Sequence, residues 1–203
     1  MSAFCLIPVT RPRRAVYAAR SADRLGWQVL TQEDTGHRGP NWVRNELLQV
    51  AAARGATVVR FLDDDDLALG ITAQEALAMS VDAMYFDYLV THPVIVRHRV
   101  RQVGDLRQDG YYWLVGNWCA RVDALLSLDP GGRPWVDHLP YCEGAQMALK
   151  MARAGLKIGF TPKAGYYWHK RLDGLHTAPQ NRLVADVLTD LWTRFPAVEV
   201  LHV

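Results

Sequence analysis

A short apolar segment that runs into four consecutive aspartates, Thr57 to Leu69 (TVVRFLDDDDLAL), constrains the fold of this chain more than any other stretch. Its opening part, Thr57 to Leu62, is mostly β-branched or aromatic, which predicts a strand buried within a sheet although Arg60 interrupts it. Asp63 to Asp66 follow where that strand should end. Open α/β sheets bind ligands at the carboxyl ends of their strands. The segment therefore predicts an α/β fold with a site at this edge.

The aspartate run also predicts a metal site. Carboxylates on successive residues repel one another and raise one another's pKa unless a positive charge lies nearby. A hard divalent cation with oxygen ligands removes that repulsion. The alternative is a solvated turn in which one aspartate caps a helix that begins near Leu67 or Ile71. In an extended segment, side chains at alternate positions face the same way, and the sequence leaves open which two aspartates contact the metal.

Length and charge set broad limits. The 203 residues, half of them apolar, suit one domain with a full hydrophobic core. A formal net charge of +2 does not require a polyanionic partner, although arginines cluster in Arg11 to Arg14 and in Arg97 to Arg107. A phosphate-bearing ligand is compatible with these clusters.

The cysteines and the apolar runs predict a cytoplasmic protein. Cys5, Cys119 and Cys142 have no metal-ligand spacing and cannot all pair within one chain, which favours a reducing compartment. The N-terminal apolar run stops at Val9, which is too short for the core of a signal peptide. No run approaches the roughly twenty apolar residues that span a bilayer, so we expect no transmembrane segment.

Strand-like and helix-like segments alternate along the first part of the chain, which predicts a doubly wound, mostly parallel sheet. In such a sheet, Asp34 and the aspartates from Asp63 onward should lie at the same edge. The expected strands are Ala3 to Val9, Trp27 to Leu30, Thr57 to Leu62 and Ala83 to Leu89, and the expected helices end at Gly26, run from Val43 to Arg54 and run from Ile71 to Ser80.

The second part of the chain has a different pattern. From His92 to Tyr112, alternating residues indicate antiparallel strands or a hairpin, which we assign to acceptor recognition. Further predicted elements are a strand from Tyr111 to Val115, a short helix from Arg121 to Leu128, an exposed loop from Asp129 to Pro134, a helix from Tyr141 to Gly155, strands from Lys157 to Thr161 and from Gly165 to His169, and a core-packing helix after Thr177.

Taken in order, these motifs resemble the GT-A glycosyltransferases, most closely family 2, over nearly the whole chain. The matching motifs are Pro8 to Pro12, Glu33-Asp34, Arg44-Asn45, Phe61 to Leu67, Gly116-Asn117, a helix from Glu143 that ends in Ala154-Gly155, and the aromatic-histidine segment Tyr166 to His169. The resemblance implies a GT-A fold, which is Rossmann-like, with a mostly parallel central sheet flanked by helices and a small antiparallel part. It implies one domain, 1–203, in which 1–90 bind the nucleotide sugar and 91–203 bind the acceptor.

The resemblance further implies a metal-dependent, hexosyltransferase-type enzyme that moves a sugar from a nucleotide-diphosphate sugar to a hydroxyl acceptor with inversion. Mn²⁺ or Mg²⁺ would be held by Asp63 and Asp65, with Asp66 adjacent and His169 nearby. His176 competes with His169 for this place, and Lys170 and Arg171 are alternative phosphate ligands. By position, the donor-binding residues would be Pro8, Thr10, Arg11, Glu33, Asp34, Arg44, Asn45, Asp63 and Asp64.

The catalytic base and the acceptor contacts follow less directly from the resemblance. Family 2 enzymes place a Glu-Asp pair where this chain has Glu143-Gly144, so the expected base is Glu143, Asp137 or a group from elsewhere. Alternatively, Glu143 is a first-turn glutamate that the helix dipole favours. Asn117 and Trp118 are the expected acceptor contacts, although an aromatic residue such as Trp118 is equally at home in a core.

Other functions remain open at this stage. The missing second acid is compatible with a catalytically inert GT-A-like binding module. A nucleotidyltransferase would also use metal-binding carboxylates at strand ends, but its glycine-rich phosphate loop after the first strand is absent. The arginines from Arg97 to Arg107 also allow a hydroxyl-bearing nucleic-acid base as the acceptor, which strong salt dependence of binding would reveal.

Overall fold

The computed structural model describes residues 1–91, 95–98, 116–137 and 143–169. The strands in these ranges are β1 (Ser2–Val9), β2 (Gln28–Glu33), β3 (Ala56–Phe61), β4 (Leu67–Ala68), β5 (Ala83–Thr91), β6 (Ile95–His98), β7 (Trp118–Arg121) and β8 (Ile158–Trp168). The helices are α1 (Pro12–Asp23), α2 (Pro40–Ala53), α3 (Ala73–Leu77), α4 (Val122–Leu126) and α5 (Glu143–Arg153).

All of these strands belong to one sheet. Its order is β2-β1-β3-β7-β5-β8-β4, and β6 pairs with β5 beside this path. β1, β2, β3, β5 and β8 run in one direction, while β4, β6 and β7 run in the other. The expected α/β fold, with a mostly parallel sheet and a small antiparallel part, is confirmed.

Helices cover both faces of the sheet, as the composition of β1 and β3 requires. β1 is buried from Ala3 onward because its side chains pack on both faces. The consecutive residues Arg60 and Phe61 of β3 face opposite layers. Arg60 lies 5.6 Å from the ring centroid of Trp27, at the end of the α1 layer. Phe61 packs edge-on against Trp135, with centroids 5.2 Å apart, and Trp135 is hydrogen-bonded to Asn45 of α2.

Three predicted elements need correction. Gly116 to Trp118 do not lead directly into a helix, because 118–121 form the buried strand β7 before α4 begins. The two short strands expected in 157–169 are one strand, β8, in which shifts of register against β5 accommodate Pro162 to Gly165. α3 is shorter than the helix expected from Ile71 to Ser80, and a short strand, β4, forms at 67–68 instead of a helix.

The predicted antiparallel part is present where it is described, since β6 pairs with the end of β5 in antiparallel register. The rest of the predicted hairpin, the strand at 111–115 and the helix after Thr177 lie outside the described residues, as do Cys142, Lys170, Arg171 and His176. Among the described residues, no helix has the length and apolar character needed to cross a membrane.

Candidate functional site

The carboxyl ends of β1, β2 and β3 meet at one edge of the sheet. Val9 of β1 pairs with Glu33 of β2, and the next residue, Asp34, donates its backbone N–H to Val9 O at 3.3 Å. On the other side of β1, Leu62 donates its N–H to Leu6 O at 3.1 Å, which places Asp63 at the same edge. The parallel pairing thus brings Asp34 and the aspartate run to one edge, as the sequence predicted.

The four aspartates alternate between buried and accessible positions. Asp64 and Asp66 are only 4% and 2% exposed. The side chains of Asp63 and Asp65 are 40% and 18% exposed. A turn closes the run, because Asp66 donates its N–H to Asp63 O at 3.2 Å. Asp63 and Asp65 are therefore the carboxylates that a ligand at this edge can reach.

Asp64 connects the aspartate run to the residues before α1 through hydrogen bonds. Its Oδ2 accepts hydrogen bonds from the backbone N–H groups of Thr10 and Arg11, at 2.6 and 2.5 Å, and from the Thr10 hydroxyl at 2.9 Å. A buried carboxylate with several donors is well compensated. Asp64 Oδ2 thus binds the protein's own backbone, and the donor-binding role predicted for Asp64 stays a prediction.

Asp66 links the run to the end of β8. One oxygen accepts a hydrogen bond from the Tyr166 hydroxyl, and the other accepts the backbone N–H of His169 at 2.8 Å. Burial and the nearby Asp63 raise the pKa of Asp66 well above its usual value, while its two hydrogen bonds oppose that shift. Both oxygens thus have protein partners, and the metal-binding role predicted for Asp66 stays a prediction. His169 reaches this cluster through its backbone N–H.

Two arginines flank the accessible aspartates. Arg11 Nη1 lies 2.5 Å from Asp65 Oδ2, and Arg44 Nη2 lies 2.8 Å from Asp63 Oδ1. Burial and the charge of Asp63 raise the pKa of Asp65, and Arg11 opposes that effect. Arg44 is itself buried, with its guanidinium 5.2 Å from the Trp135 ring centroid. The edge therefore presents carboxylates and guanidinium groups side by side.

The remaining predicted donor residues divide between the ligand edge and the scaffold. The carboxylate of Asp34 accepts the N–H groups of Arg38 and Gly39, at 2.9 and 2.7 Å, which shapes the loop that leads into α2. Glu33 is exposed beside it, whereas Pro8 is buried in β1.

Asn45 belongs to the scaffold. Its amide exchanges hydrogen bonds with the backbone of Trp135, donating to Trp135 O at 2.8 Å and accepting the Trp135 N–H at 3.1 Å. It also donates to Asp137 Oδ1 at 2.9 Å. Asn45 is fully buried and holds Trp135 and Asp137, and the donor-binding role predicted for it stays a prediction.

Each of the two candidate bases contacts a residue of α2. Arg44, which contacts Asp63, also places Nη1 3.7 Å from Glu143 Oε1. Asp137 Oδ2 lies 3.7 Å from Arg133 Nη2, while its other oxygen accepts from Asn45. Glu143 is thus connected through one guanidinium to the accessible aspartates, whereas Asp137 belongs to the Asn45 network.

Arg60 and Tyr166 are structural contributors that the sequence reasoning did not identify. Arg60 is fully buried, and its Nη2 donates to the carbonyls of Gly116 and Gly165, at 3.1 and 3.0 Å. Its Nε and Nη1 have no hydrogen-bond partner among the described residues. Burial lowers the pKa of Arg60. The available signal was a single arginine within an otherwise apolar strand.

Arg60 is bordered by two thiols. Cys5 of β1 and Cys119 of β7 stand directly opposite it in the neighbouring strands. Burial raises the pKa of both thiols to about 12. These sulfurs are therefore neutral packing groups, and they do not balance the arginine charge.

Comparison with known proteins identifies the fold. No protein-family model and no curated protein matches the sequence. Among solved structures, residues 1–349 of S. aureus TarS in complex with UDP-GlcNAc align with 97% of this chain and 68% of that chain, at a TM-score of 0.65 and 15% identity. A glycosyltransferase involved in the glycosylation of the major capsid of PBCV-1 aligns with 93% of this chain over 100% of its own, at a TM-score of 0.52 and 13% identity. The fold is GT-A.

A197 from STIV has a similar fold, with a TM-score of 0.52 and 13% identity over 83% of this chain and 82% of its own. The GT-A fold expected from the sequence motifs is thus confirmed. The chemistry of the site depends on the residues that this chain places there.

Within this GT-A fold, Asp63 and Asp65 fit a divalent cation. They are neighbouring accessible carboxylates, and the repulsion that raises the pKa of Asp65 would be relieved by positive charge. Among the described residues, no three or more Asp, Glu, His or Cys side chains converge to form a complete metal cage. Mg²⁺ is commonly held by one or two carboxylates, with substrate phosphates and water completing its shell. The aspartate pair suits a cation that binds together with a diphosphate.

The predicted acceptor contacts are not at the GT-A surface. Trp118 is fully buried in β7 and stacks on Trp135, with ring centroids 6.0 Å apart. Asn117 is also fully buried, and its carbonyl accepts the N–H of Phe86 at 3.0 Å. Core packing accounts for the ring of Trp118, and the acceptor contact predicted for this residue stays a prediction.

Proposed function

We propose that this protein is a metal-dependent glycosyltransferase that moves a sugar from a nucleotide-diphosphate sugar to a hydroxyl-bearing acceptor. The observation that carries this proposal is the pair of accessible carboxylates, Asp63 and Asp65, flanked by Arg11 and Arg44 at the carboxyl edge of a GT-A sheet. TarS, which has a similar fold, binds UDP-GlcNAc in its solved complex. A nucleotide-diphosphate sugar is accordingly the donor we propose here.

The donor would lie along this edge. Asp63 and Asp65 would hold Mn²⁺ or Mg²⁺, and the 45%-exposed Arg11 side chain would bind the diphosphate. Glu33 and Asp34, at the end of β2, would contact the nucleoside. When bound, the cation supplies charge neutralisation for the departing nucleotide diphosphate.

The acceptor hydroxyl needs a base, and we assign that role to Glu143. Its link through Arg44 to Asp63 supports this choice over Asp137, whose oxygen is engaged by Asn45. The Glu143 carboxylate takes the hydroxyl proton as the acceptor oxygen bonds to the anomeric carbon. The bond from that carbon to the diphosphate oxygen breaks in the same displacement, so the nucleotide diphosphate leaves with its electron pair and the configuration inverts.

A thermal-shift experiment tests the donor site. UDP and UDP-GlcNAc, then other nucleotide diphosphates and their sugars, are added with and without Mn²⁺. A ligand that binds the folded state stabilises it by mass action, by about 2.7 kcal/mol at a hundredfold excess over the Kd, and so raises the melting temperature. We expect a Mn²⁺-dependent rise for one nucleotide, lost in Asp65→Ala and retained in Asp23→Asn, which alters an exposed carboxylate elsewhere.

A rise in melting temperature that needs no metal and persists in Asp65→Ala would show that the aspartates do not belong to the donor site. The absence of a rise with every nucleotide would reject the transferase proposal.

One observation favours a second candidate, a GT-A-like module that binds donor without turnover. Gly144 is buried where family 2 enzymes carry the second acid of the Glu-Asp pair, and glycine supplies no carboxylate. Release of nucleotide diphosphate from the donor that binds, measured with a panel of hydroxyl acceptors, separates the two candidates. Turnover that falls at least about a hundredfold in Glu143→Gln, with donor binding retained, supports the enzyme. Binding without any turnover supports the module.

We also propose a cytoplasmic location. Cys5 and Cys119 are buried free thiols, and Arg60 of β3 lies between them in the sheet. Free thiols of this kind are typical of a reducing compartment. Mass spectrometry of the protein alkylated under denaturing, non-reducing conditions should find both cysteines modified, and a disulfide at either would contradict this location.

A further inference from the structure

The outward side of α1 concentrates positive charge. Residues 11–24 contain five arginines and one aspartate, a formal charge of +4, whereas the complete chain carries +2. Helical spacing puts Arg13, Tyr17, Arg20 and Arg24 on one side, with Val16 at its margin. We call these five residues the α1 outer face.

This face is open to solvent. Val16 and Tyr17 are 47% and 66% exposed, which is unusual for large apolar side chains in this structure. The opposite side of the helix packs on the sheet through small residues, Ala15, Ala18 and Ala22. Within the described part of the chain, none of the three arginines of the α1 outer face forms an ion pair with a carboxylate.

The charges of α1 are unfavourable for the isolated helix. Arg13 and Arg14 lie in its first turn, where the helix dipole favours negative charge, and no acidic residue is present there. Arg20 and Arg24 are like charges four positions apart, which repel across one turn. An external anion would remove both penalties.

We propose that the α1 outer face docks on an anionic lipid surface. Arginines are attracted to the negative potential of such a surface, and they hydrogen-bond to phosphate headgroups. Tyr17 suits the boundary between headgroups and acyl chains, because its ring is apolar and its hydroxyl is polar. Val16 adds an apolar contact that a phosphate backbone of nucleic acid would not use.

Docking in this way would hold the donor edge near the membrane surface. α1 begins directly after Arg11, which pairs with Asp65. Its N-terminus therefore lies at the carboxyl edge of the sheet, beside the accessible aspartates. The proposal rests on the α1 surface alone and does not depend on sugar transfer.

Vesicle co-sedimentation of the full chain tests the proposal. Vesicles of phosphatidylcholine are compared with vesicles that also contain phosphatidylglycerol, at low ionic strength. Each arginine near an anionic surface contributes about fivefold to the partition coefficient. We expect binding only to the anionic vesicles, a loss of about a hundredfold in Arg13→Gln/Arg20→Gln/Arg24→Gln, and weakening as salt is added.

The matched control is Arg54→Gln/Arg153→Gln/Lys157→Gln, which removes the same charge from exposed positions outside α1. It should bind within about twofold of the parent if the α1 outer face is the docking surface. Melting curves confirm folding, and the α1 variant should melt close to the parent. Loss of Arg13 removes an unfavourable charge from the first turn, whereas loss of Arg20 removes a favourable one from the last turn.

Tyr17→Ser provides a second variant that changes one exposed side chain. It should weaken vesicle binding several-fold while leaving the melting temperature unchanged. Failure of the parent to bind anionic vesicles, or an equal loss in the control, would overturn the proposal. The proposal would also be overturned if the protein bound a DNA duplex more tightly than the vesicles and Tyr17→Ser left that binding unchanged. The α1 outer face would then be a binding surface for polyanions.

Discussion

Asp65 carries its charge where burial and the neighbouring Asp63 oppose it, so the pKa of its carboxyl is raised. A carboxyl with a raised folded-state pKa contributes stability that is fully present below its ordinary pKa of about 3.9 and is lost as the pH rises through the folded value. The Asp65→Asn variant has no carboxyl group to ionise at this position, so it does not lose this stability as the pH rises. We therefore expect this variant to melt higher than the parent near pH 7, with the difference narrowing toward about pH 4 in calorimetric scans.

The same substitution should have the opposite effect in the presence of donor. With Mn²⁺ and the nucleotide that binds, the parent gains stability through the Asp65 carboxylate and the variant does not. The order of melting temperatures should then reverse. Asp23→Asn is the control and should follow the parent in both conditions. A parent that melts above Asp65→Asn without ligand would show that the Arg11 pair outweighs the repulsion.

Arg60 poses a related question in the core, because its charge is fully buried without a carboxylate. Burying a charge costs several kcal/mol, while a hydrogen bond to a charged group contributes about 1.5–3 kcal/mol. Arg60 makes two, to Gly116 O and Gly165 O. The two effects nearly balance, so Arg60→Met should leave the free energy of unfolding within about 1 kcal/mol of the parent.

Urea denaturation measures this free energy, and Arg60→Ala is the comparison. The alanine variant loses the same hydrogen bonds and also leaves a cavity, so it should be less stable by about 2–5 kcal/mol. If the methionine variant is destabilised as much as the alanine variant, the contribution of Arg60 to the free energy of unfolding comes from its hydrogen bonds to the two carbonyls and not from packing.

At the scale of elements, Gly116, two residues before β7, packs closely against the ring of Tyr166 in β8. A Cβ at Gly116 would lie 2.1 Å from Tyr166 Cε2, well inside contact distance. Gly116→Ala should therefore cost about 1–3 kcal/mol, which lowers the melting temperature by about 2–4 °C per kcal/mol. Because Tyr166 also holds Asp66, the Mn²⁺-dependent response to nucleotide should weaken as well.

Gly36→Ala is the control for this substitution, since the nearest atoms belong to the flexible side chain of Arg38, at 3.5 Å. Its melting temperature should stay close to that of the parent. Equal melting temperatures for Gly116→Ala and the parent would mean that residue 116 and the Tyr166 ring can move apart without loss of stability. The position of Tyr166 would then not depend on this close contact.

The elements also show which parts of the fold were predictable. The apolar runs of β1, β3 and β5 indicate buried strands directly, and parallel topology then brings the ends of β1, β2 and β3 together. β7 was missed because its pairing between β3 and β5 is a long-range property that its four residues do not encode. β8 was divided because Pro162 and Gly165 are typical of breaks, whereas its bulges absorb both.

The aspartate run shows the same limit at the site. Alternation of its side chains follows from an extended segment. Which pair faces inward depends on Thr10 and Tyr166, which lie 54 and 100 residues away from their aspartate partners. Such partners cannot be identified from the local pattern.

At the scale of the whole molecule, the two halves of the chain interleave in one sheet. β3 and β5 come from the first half, and β7 from the second half lies between them. β5 also pairs with β8 over most of its length. The division into 1–90 and 91–203 therefore describes ligand binding and does not describe independently folding units, and we expect the chain to unfold as one cooperative unit.

Circular dichroism tests this expectation on the full chain and on a fragment comprising 1–91. In the full chain, the near-ultraviolet and far-ultraviolet transitions should coincide, because the tryptophans of β7 and the 131–137 loop pack against β3. In the fragment, β3 loses β7, and β5 loses β6, β7 and β8, which leaves strand edges and apolar faces without partners. We expect the fragment to show no cooperative melting. A sigmoidal transition in the fragment, or two separate transitions in the full chain, would instead mean that the donor half folds by itself and that the second half docks onto a completed sheet.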